Sequence, residues 1–238
     1  MADKKLLVLN MGPCLIDGRG PYHRLVCEAA GWPLSRTWAI DVYEGAPLPA
    51  PHEVLGVVLT GAAAMVTDRA DWSENTARWL RGAIESELPI FGICYGHQLV
   101  AHALGGRVGP NPRGREMGTV TVSLAASAHG EAPFAGVGSE LCVQSSHVES
   151  VLEPPREARL LGGNETDPCQ AMAIGERCWT VQFHPEWDAA VTGAYIEQRA
   201  ETLREEGRDP EAMLAALRDS KDGAAILSRF TTTLEHDG

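Results

Sequence analysis

The sequence predicts an α/β chain: a doubly wound, mostly parallel sheet with helices on both faces and a helical extension at the C-terminal end. Three observations predict it. Wholly apolar runs such as Val54–Leu59 and Leu88–Ile93 alternate with helical patterns, which is the texture of strands buried on both faces. Gly, Pro and Asn cluster directly after those runs, where strands end and turns begin. From Asp188 onward the pattern turns helical, with Ile226, Leu227, Phe230 and Leu234 on one face of the last segment.

In chain order, Lys4–Leu9 reads as a first strand and Asn10-Met11-Gly12-Pro13 as the turn at its carboxyl end. Tyr22–Ala30 is a short helix that Gly31 stops, Thr37–Val42 a second strand, and Gly45–His52 irregular. Val54–Leu59 is the third strand, followed by the turn Thr60-Gly61-Ala62-Ala63. Asp71-Trp72-Ser73-Glu74 reads as a capping box, with Asp71 as the cap, before a helix that carries Ala77, Leu80 and Ile84 on one face. Pro89 opens the fourth strand, and Gln98–Leu104 is a helix stopped by Gly105-Gly106. Beyond it, Thr119–Leu124 alternates as a half-buried strand. Leu141–Gln144, Leu160–Leu161, Ala171–Ile174 and Thr180–Phe183 are short strands. Ala189–Glu206, Pro210–Leu217 and Ala224–Leu234 are helices. Residues 1–187 form a catalytic domain, and 188–238 a helical extension packed on it. Sites in such sheets lie at the carboxyl ends of the strands, so Asn10–Gly12, Thr60–Ala62 and Cys94 are expected to converge.

Composition excludes several classes. The 238 residues carry 20 basic and 32 acidic side chains, a net charge of −12, which repels nucleic acid. No apolar run reaches the length of a membrane span, and the apolar stretch near Met1 ends at Asn10, too soon for a signal peptide. Six cysteines are scattered without a CxxC pair, as in a reduced cytoplasmic protein without disulfides. No His/Cys/Asp cluster has ligand spacing, so neither metal nor cofactor is expected.

The chemistry centres on Phe91-Gly92-Ile93-Cys94-Tyr95-Gly96-His97-Gln98. Cys94 sits between a strand and a helix with glycine two residues to either side, the mechanics of a nucleophile elbow. A thiol at a helix N-terminus favours the thiolate. Such a cysteine needs a base and a group that orients the base. In Gln182-Phe183-His184-Pro185-Glu186 a rigid turn holds the Glu186 carboxylate beside the His184 imidazole, which gives Cys-His-Glu logic.

Gly92-x-Cys94-x-Gly96-x-Gln98 together with His184-Pro185-Glu186 resembles the class I (triad) glutamine amidotransferases, and within them the glutaminase domain of GMP synthetase and stand-alone proteins similar to it. The resemblance covers roughly Leu55 to Glu186 and implies a flavodoxin-like fold. It implies that Cys94 attacks the side-chain amide of glutamine to form a γ-glutamyl thioester. His184 then moves the protons, and Glu186 orients His184. It implies an oxyanion site from the backbone of Tyr95 and of the Gly61-Ala62 turn. It implies substrate contacts at Gln98, at Glu116 within Arg115-Glu116-Met117-Gly118, and along Ser145-Ser146-His147. Two positions depart from the family pattern: Gly61-Ala62-Ala63 stands where Gly-Gly-Pro is usual, and Glu149 where an Asp commonly follows the Ser-His pair. No ATP-binding segment follows Glu186, so released ammonia would go to a separate synthetase. A γ-glutamyl peptide or conjugate is the alternative substrate. A non-catalytic regulatory subunit is a third reading, disfavoured by the intact triad positions.

Overall fold

The computed structural model describes residues 4–16 and 20–235; Met1–Asp3, part of the stretch weighed as a leader, lie outside the described residues. The strands are β1 (Leu6–Asn10), β2 (Thr37–Asp41), β3 (Gly56–Leu59), β4 (Ile90–Ile93), β5 (Arg107–Pro110), β6 (Glu116–Leu124), β7 (Glu140–His147), β8 (Glu149–Glu153), β9 (Arg159–Gly163), β10 (Ala171–Ile174) and β11 (Cys178–Val181). The helices are α1 (Tyr22–Ala30), α2 (Asp71–Glu85), α3 (Tyr95–Ala103), α4 (Ala189–Gln198), α5 (Ala200–Glu205), α6 (Pro210–Ala215) and α7 (Asp222–Glu235).

Nine strands form one mixed sheet in the order β2-β1-β3-β4-β11-β10-β9-β6-β7. The half from β2 to β11 is parallel, and β10, β9, β6 and β7 add an antiparallel flank. The expected doubly wound sheet is present, with α1 and α7 on one face and α2 and α3 on the other. Side chains alternate between the faces. Leu6, Val8, Val58 and Phe91 share a cluster with Ile226, Leu227, Phe230 and Leu234 of α7. Leu7, Leu9, Val57 and Leu59 share the other with Leu80 of α2 and Leu99 of α3. The apolar stripe of the last helix therefore covers the sheet. Phe230 packs on Phe91 and edge-on to Trp179, with ring centroids 5.3 and 6.2 Å apart.

Four local expectations change. Asp71 does not cap α2: Ala70 is the flanking residue, and Asp71 lies in the first turn, where its charge complements the helix dipole without a side-chain cap bond. α3 begins at Tyr95 rather than Gln98, because Cys94 alone, at φ 50°, reverses the chain. The expected helix Ala189–Glu206 breaks at Arg199 into α4 and α5. β5 and β8 form a separate antiparallel pair that no local pattern announced, since Gly109 and Pro110 mask the first of them.

Register places the site. β4 and β11 are parallel neighbours with Ile93 opposite Val181, and the Cys94 N–H donates to the Val181 carbonyl at 2.8 Å. Two strand ends thus leave the sheet side by side, one into Cys94 and the other, three residues later, into His184. The His184 N–H donates to the Gln144 carbonyl of β7 at 2.8 Å, which fixes the second exit.

Phe230→Ala is expected to lower the unfolding free energy by about 3–5 kcal/mol, read by denaturant titration, because Phe230 is fully buried between α7 and the sheet.

Candidate functional site

Cys94 occupies a backbone conformation that side chains rarely adopt. The fold holds it there by close approach on both sides. A Cβ on Gly92 would lie 2.9 Å from the Gly96 carbonyl oxygen and from Thr180 Cγ2, and one on Gly96 would lie 2.6 Å from Leu59 Cβ. Only glycine lets the first turn of α3 press onto β3 and β4. The Tyr95 N–H precedes the first backbone bond of the helix, from the Gln98 N–H to the Cys94 carbonyl at 3.1 Å, so it belongs to the donors a helix start leaves open. Cys94 Sγ lies 3.9 Å from the Ser146 carbonyl oxygen.

His184 is buried against Cys94 and Glu186. Its Nδ1 bonds Glu186 Oε1 at 2.8 Å. Burial opposes a charge on the imidazole, yet the Glu186 carboxylate and Cys94 outweigh it and raise its pKa well above the usual histidine value. The imidazolium form is therefore favoured at neutral pH. Trp187 stacks on the other face of this arrangement, its ring centroid 3.7 Å from that of His184 at 12°, and Tyr195 stacks on Trp187 at 4.4 Å and 10°. Sequence reasoning missed Trp187; its position directly after His184-Pro185-Glu186 was the available signal.

An open cavity of about 150 Å³ lies over Cys94 and is lined by Ala62, Tyr95, Gln98, Ser146, His147 and Glu149, with Arg115 and Arg199. Gly61 sits under the catalytic candidates: a Cβ there would lie 2.6 Å from His184 Cε1 and 3.5 Å from Cys94 Cβ. The Thr60 hydroxyl donates to the Gly61 carbonyl at 3.0 Å. In a trans peptide the next N–H points the opposite way, so Thr60 sets the direction of the Ala62 N–H. Among the described residues, no group of three or more His, Cys, Asp or Glu is arranged to hold a metal ion.

Glu116 and Ser145 stand behind the cavity wall rather than in it. The buried Glu116 carboxylate accepts from Ser145 Oγ at 3.0 Å, Asn164 Nδ2 at 2.8 Å and Gln170 Nε2 at 2.5 Å, and pairs with His147 Nε2 at 3.0 Å. His147 Nδ1 and Gln98 Nε2 both donate to the Glu149 carbonyl, at 2.9 and 2.8 Å. Gln98 Nε2 also donates to Gln182 Oε1 at 3.0 Å. This network stiffens the wall that Ser146 to Glu149 present. The Glu149 carboxylate is engaged within the wall, accepting from the Val66 N–H at 3.0 Å and from the Thr67 hydroxyl. Its task here is to tie the loop after β3 to β8. Asn10 does not reach the Cys94 cavity; its side chain bonds Asp41 at 2.7 Å and His23, and it lines a neighbouring cavity at the ends of β1 and β2. His97 is packed beneath the site on Thr180, and burial, then the neighbouring His147, pushes its pKa down to about 3.

Known proteins resemble this chain along its length. A sequence profile of the family described as glutamine amidotransferase class-I matches residues 44–200. The GMP synthase [glutamine-hydrolyzing] of Azoarcus sp. (strain BH72) is 28% identical over 96% of this chain and 47% of its own length. That of Aeropyrum pernix is 31% identical over 74% of this chain and 33% of its own. The chain thus spans half or less of these curated relatives. Among solved structures, a glutamine amidotransferase from Thermotoga maritima superposes with a TM-score of 0.77 at 22% identity, covering 97% of both chains. A glutamine amido transferase from Methylobacillus flagellatus gives 0.75 at 20% identity over 96% of this chain and 94% of that one.

The burial of Glu116 disfavours its charge, but its donors outweigh that and hold its pKa below the usual carboxylate value of 4.5. A depressed carboxyl pKa contributes stability above the usual value, and that stability is lost as pH falls through the folded pKa. Glu116→Gln is expected to cost about 1–3 kcal/mol at pH 7 and to flatten the acid limb of a stability-against-pH curve, measured by urea titration from pH 7 downward.

Proposed function

The chain belongs to the class-I glutamine amidotransferases, and on that premise we propose that it hydrolyses the side-chain amide of glutamine through a γ-glutamyl thioester on Cys94. The observation that carries this is the strained, buried Cys94 at the start of α3 beside an imidazole bonded to Glu186. Proton transfer from thiol to His184 gives the thiolate nucleophile at the start of α3. The thiolate adds to the amide carbon, and the developing oxyanion lies between the Tyr95 and Ala62 N–H groups, each such donor being worth about 3 kcal/mol. His184 gives its proton to the departing ammonia and then takes one from the water that cleaves the thioester. Glu186 keeps the ring in one orientation throughout, and Trp187 closes its far face. Gln98 and the Ser146–Glu149 strip form the wall against which the glutamyl chain lies.

By analogy with the relatives named GMP synthase [glutamine-hydrolyzing], we infer that the ammonia passes to a synthetase. Hydrolysis of γ-glutamyl peptides or conjugates keeps every step and is the second reading; Arg199 in the cavity lining favours it.

Two outcomes test the chemistry. Cys94→Ala is expected to abolish glutamate release from glutamine in a coupled assay, while Glu186→Gln lowers kcat by about 10²–10⁴. Because the carboxylate supports the imidazolium, Glu186→Gln also lowers the His184 pKa and so depletes the thiolate. Alkylation of Cys94 by iodoacetamide at pH 7 is then expected to slow severalfold; an unchanged rate removes Glu186 from the proposed triad.

A further inference from the structure

The cavity over Cys94 contains one charge whose purpose the steps above leave open. Three formally charged residues line it: Glu149, Arg115 and Arg199. Two are spoken for. The Glu149 carboxylate is bonded to Val66 and Thr67, and the Arg115 guanidinium is clasped by both oxygens of Glu206, at 2.9 to 3.1 Å. Arg199 differs. Its guanidinium lies over the Tyr195 ring at 5.0 Å from the centroid, and its Nη1 is buried without a hydrogen-bond partner among the described residues. A buried guanidinium N–H without an acceptor is costly, and in a cavity wall it marks where an anionic ligand group would bind.

The chain breaks a helix to put it there. Arg199 ends α4 and begins α5 at φ −102°, ψ 13°, and its N–H is shared between the Tyr195 and Ile196 carbonyls, both at 3.2 Å. That single non-helical residue lets Tyr195 stay in the ring column while Arg199 folds over it. The column fixes the side of the cavity that Arg199 serves. His184, Trp187 and Tyr195 stack in near-parallel planes, and Arg199 closes the far end. The arginine therefore reaches the cavity from the end of the column that begins on His184. A base that protonates a leaving nitrogen faces that nitrogen, so the leaving group of an amide points toward the side that carries Arg199. Burial, with the like charge of Arg115 nearby, depresses the Arg199 pKa, a tension that a bound anion relieves.

We propose that Arg199 is a specificity-determining residue that binds the carboxylate of an amino-acid leaving group, so that the cavity takes γ-glutamyl amides of amino acids as substrates. This rests on the γ-glutamyl thioester chemistry proposed above. The thiolate–carbon bond forms and the γ-amide C–N bond breaks. The His184 proton goes to the amine nitrogen, the amino acid departs, and water releases glutamate from the thioester. The chemistry recognised is a carboxylate, and a γ-glutamyl amino acid has two: the α-carboxylate shared with glutamine, and the one on the departing amine.

A substrate pair separates them. γ-Glutamylglycine carries the second carboxylate and γ-glutamylmethylamide lacks it. With the full chain, kcat/KM for the glycine amide is expected to exceed that for the methylamide by about tenfold or more, the worth of one charge-assisted hydrogen bond. Arg199→Met is expected to bring that ratio to about one, whatever it does to both rates together, and Arg199→Lys to restore part of it. A wild-type ratio near one overturns the proposal. So does a ratio that Arg199→Met leaves intact while both rates fall, since Arg199 then meets the shared α-carboxylate or only packs. Turnover of glutamine and the methylamide reports the common chemistry separately. If wild type hydrolyses none of the three, the thioester reading fails, and calorimetric binding of the same pair to Cys94→Ala and to Cys94→Ala/Arg199→Met decides the subsite by the same ratio.

Discussion

The close approach of α3 to β3 and β4 is the constraint on which the site depends. Gly96 lies where any side chain would collide with Leu59, and Gly92 where one would collide with the first turn of the helix. Those two contacts leave Cys94 as the only residue between strand and helix, at positive φ. A strained residue of this kind persists because its surroundings over-determine it. Here the surroundings are the fully buried strands β3 and β4 and the Cys94 N–H bond to β11. The sheet register then brings His184 alongside, and the bond from His184 to β7 prevents that second exit from drifting. Cysteine and imidazole meet because two parallel neighbouring strands end at the same level.

Around that pair the structure spends many of its buried polar groups on wall stiffness. Glu116 gathers Ser145, His147, Asn164 and Gln170, and through His147 and Gln98 the network converges on one carbonyl, that of Glu149. A buried network of this type is favourable only when nearly every member is satisfied. The Glu116 carboxylate meets that condition, with both oxygens engaged. The longer side chain at Glu149 is used in the same spirit: it reaches the loop after β3 and holds Ala62 to Met65 against the cavity.

How much of this was legible follows from the range of each interaction. The elbow was legible in Gly92-x-Cys94-x-Gly96, and the pairing of His184 with Glu186 in His184-Pro185-Glu186, because each is a short-range pattern whose partners sit within a few residues. The alternating apolar runs likewise announced the parallel half of the sheet. The pair β5–β8 and the antiparallel flank depend on which distant segments meet, and short strands carry no sign of that. Glu116 and Ser145 were legible as members of the site's neighbourhood, not as groups turned behind its wall. Arg199 carried no signal: it lies between Glu197 and Glu201 in a helical stretch without Gly or Pro at the break. Its position follows from the stacking of Trp187 on His184, which is visible only in three dimensions.

The central claim is that Cys94 becomes acylated. Protein mixed with glutamine, quenched in acid and digested is expected to carry the mass of one γ-glutamyl group on the peptide that contains Cys94, seen by mass spectrometry. Glutamate release with that peptide unmodified, or with the adduct on another cysteine, contradicts it.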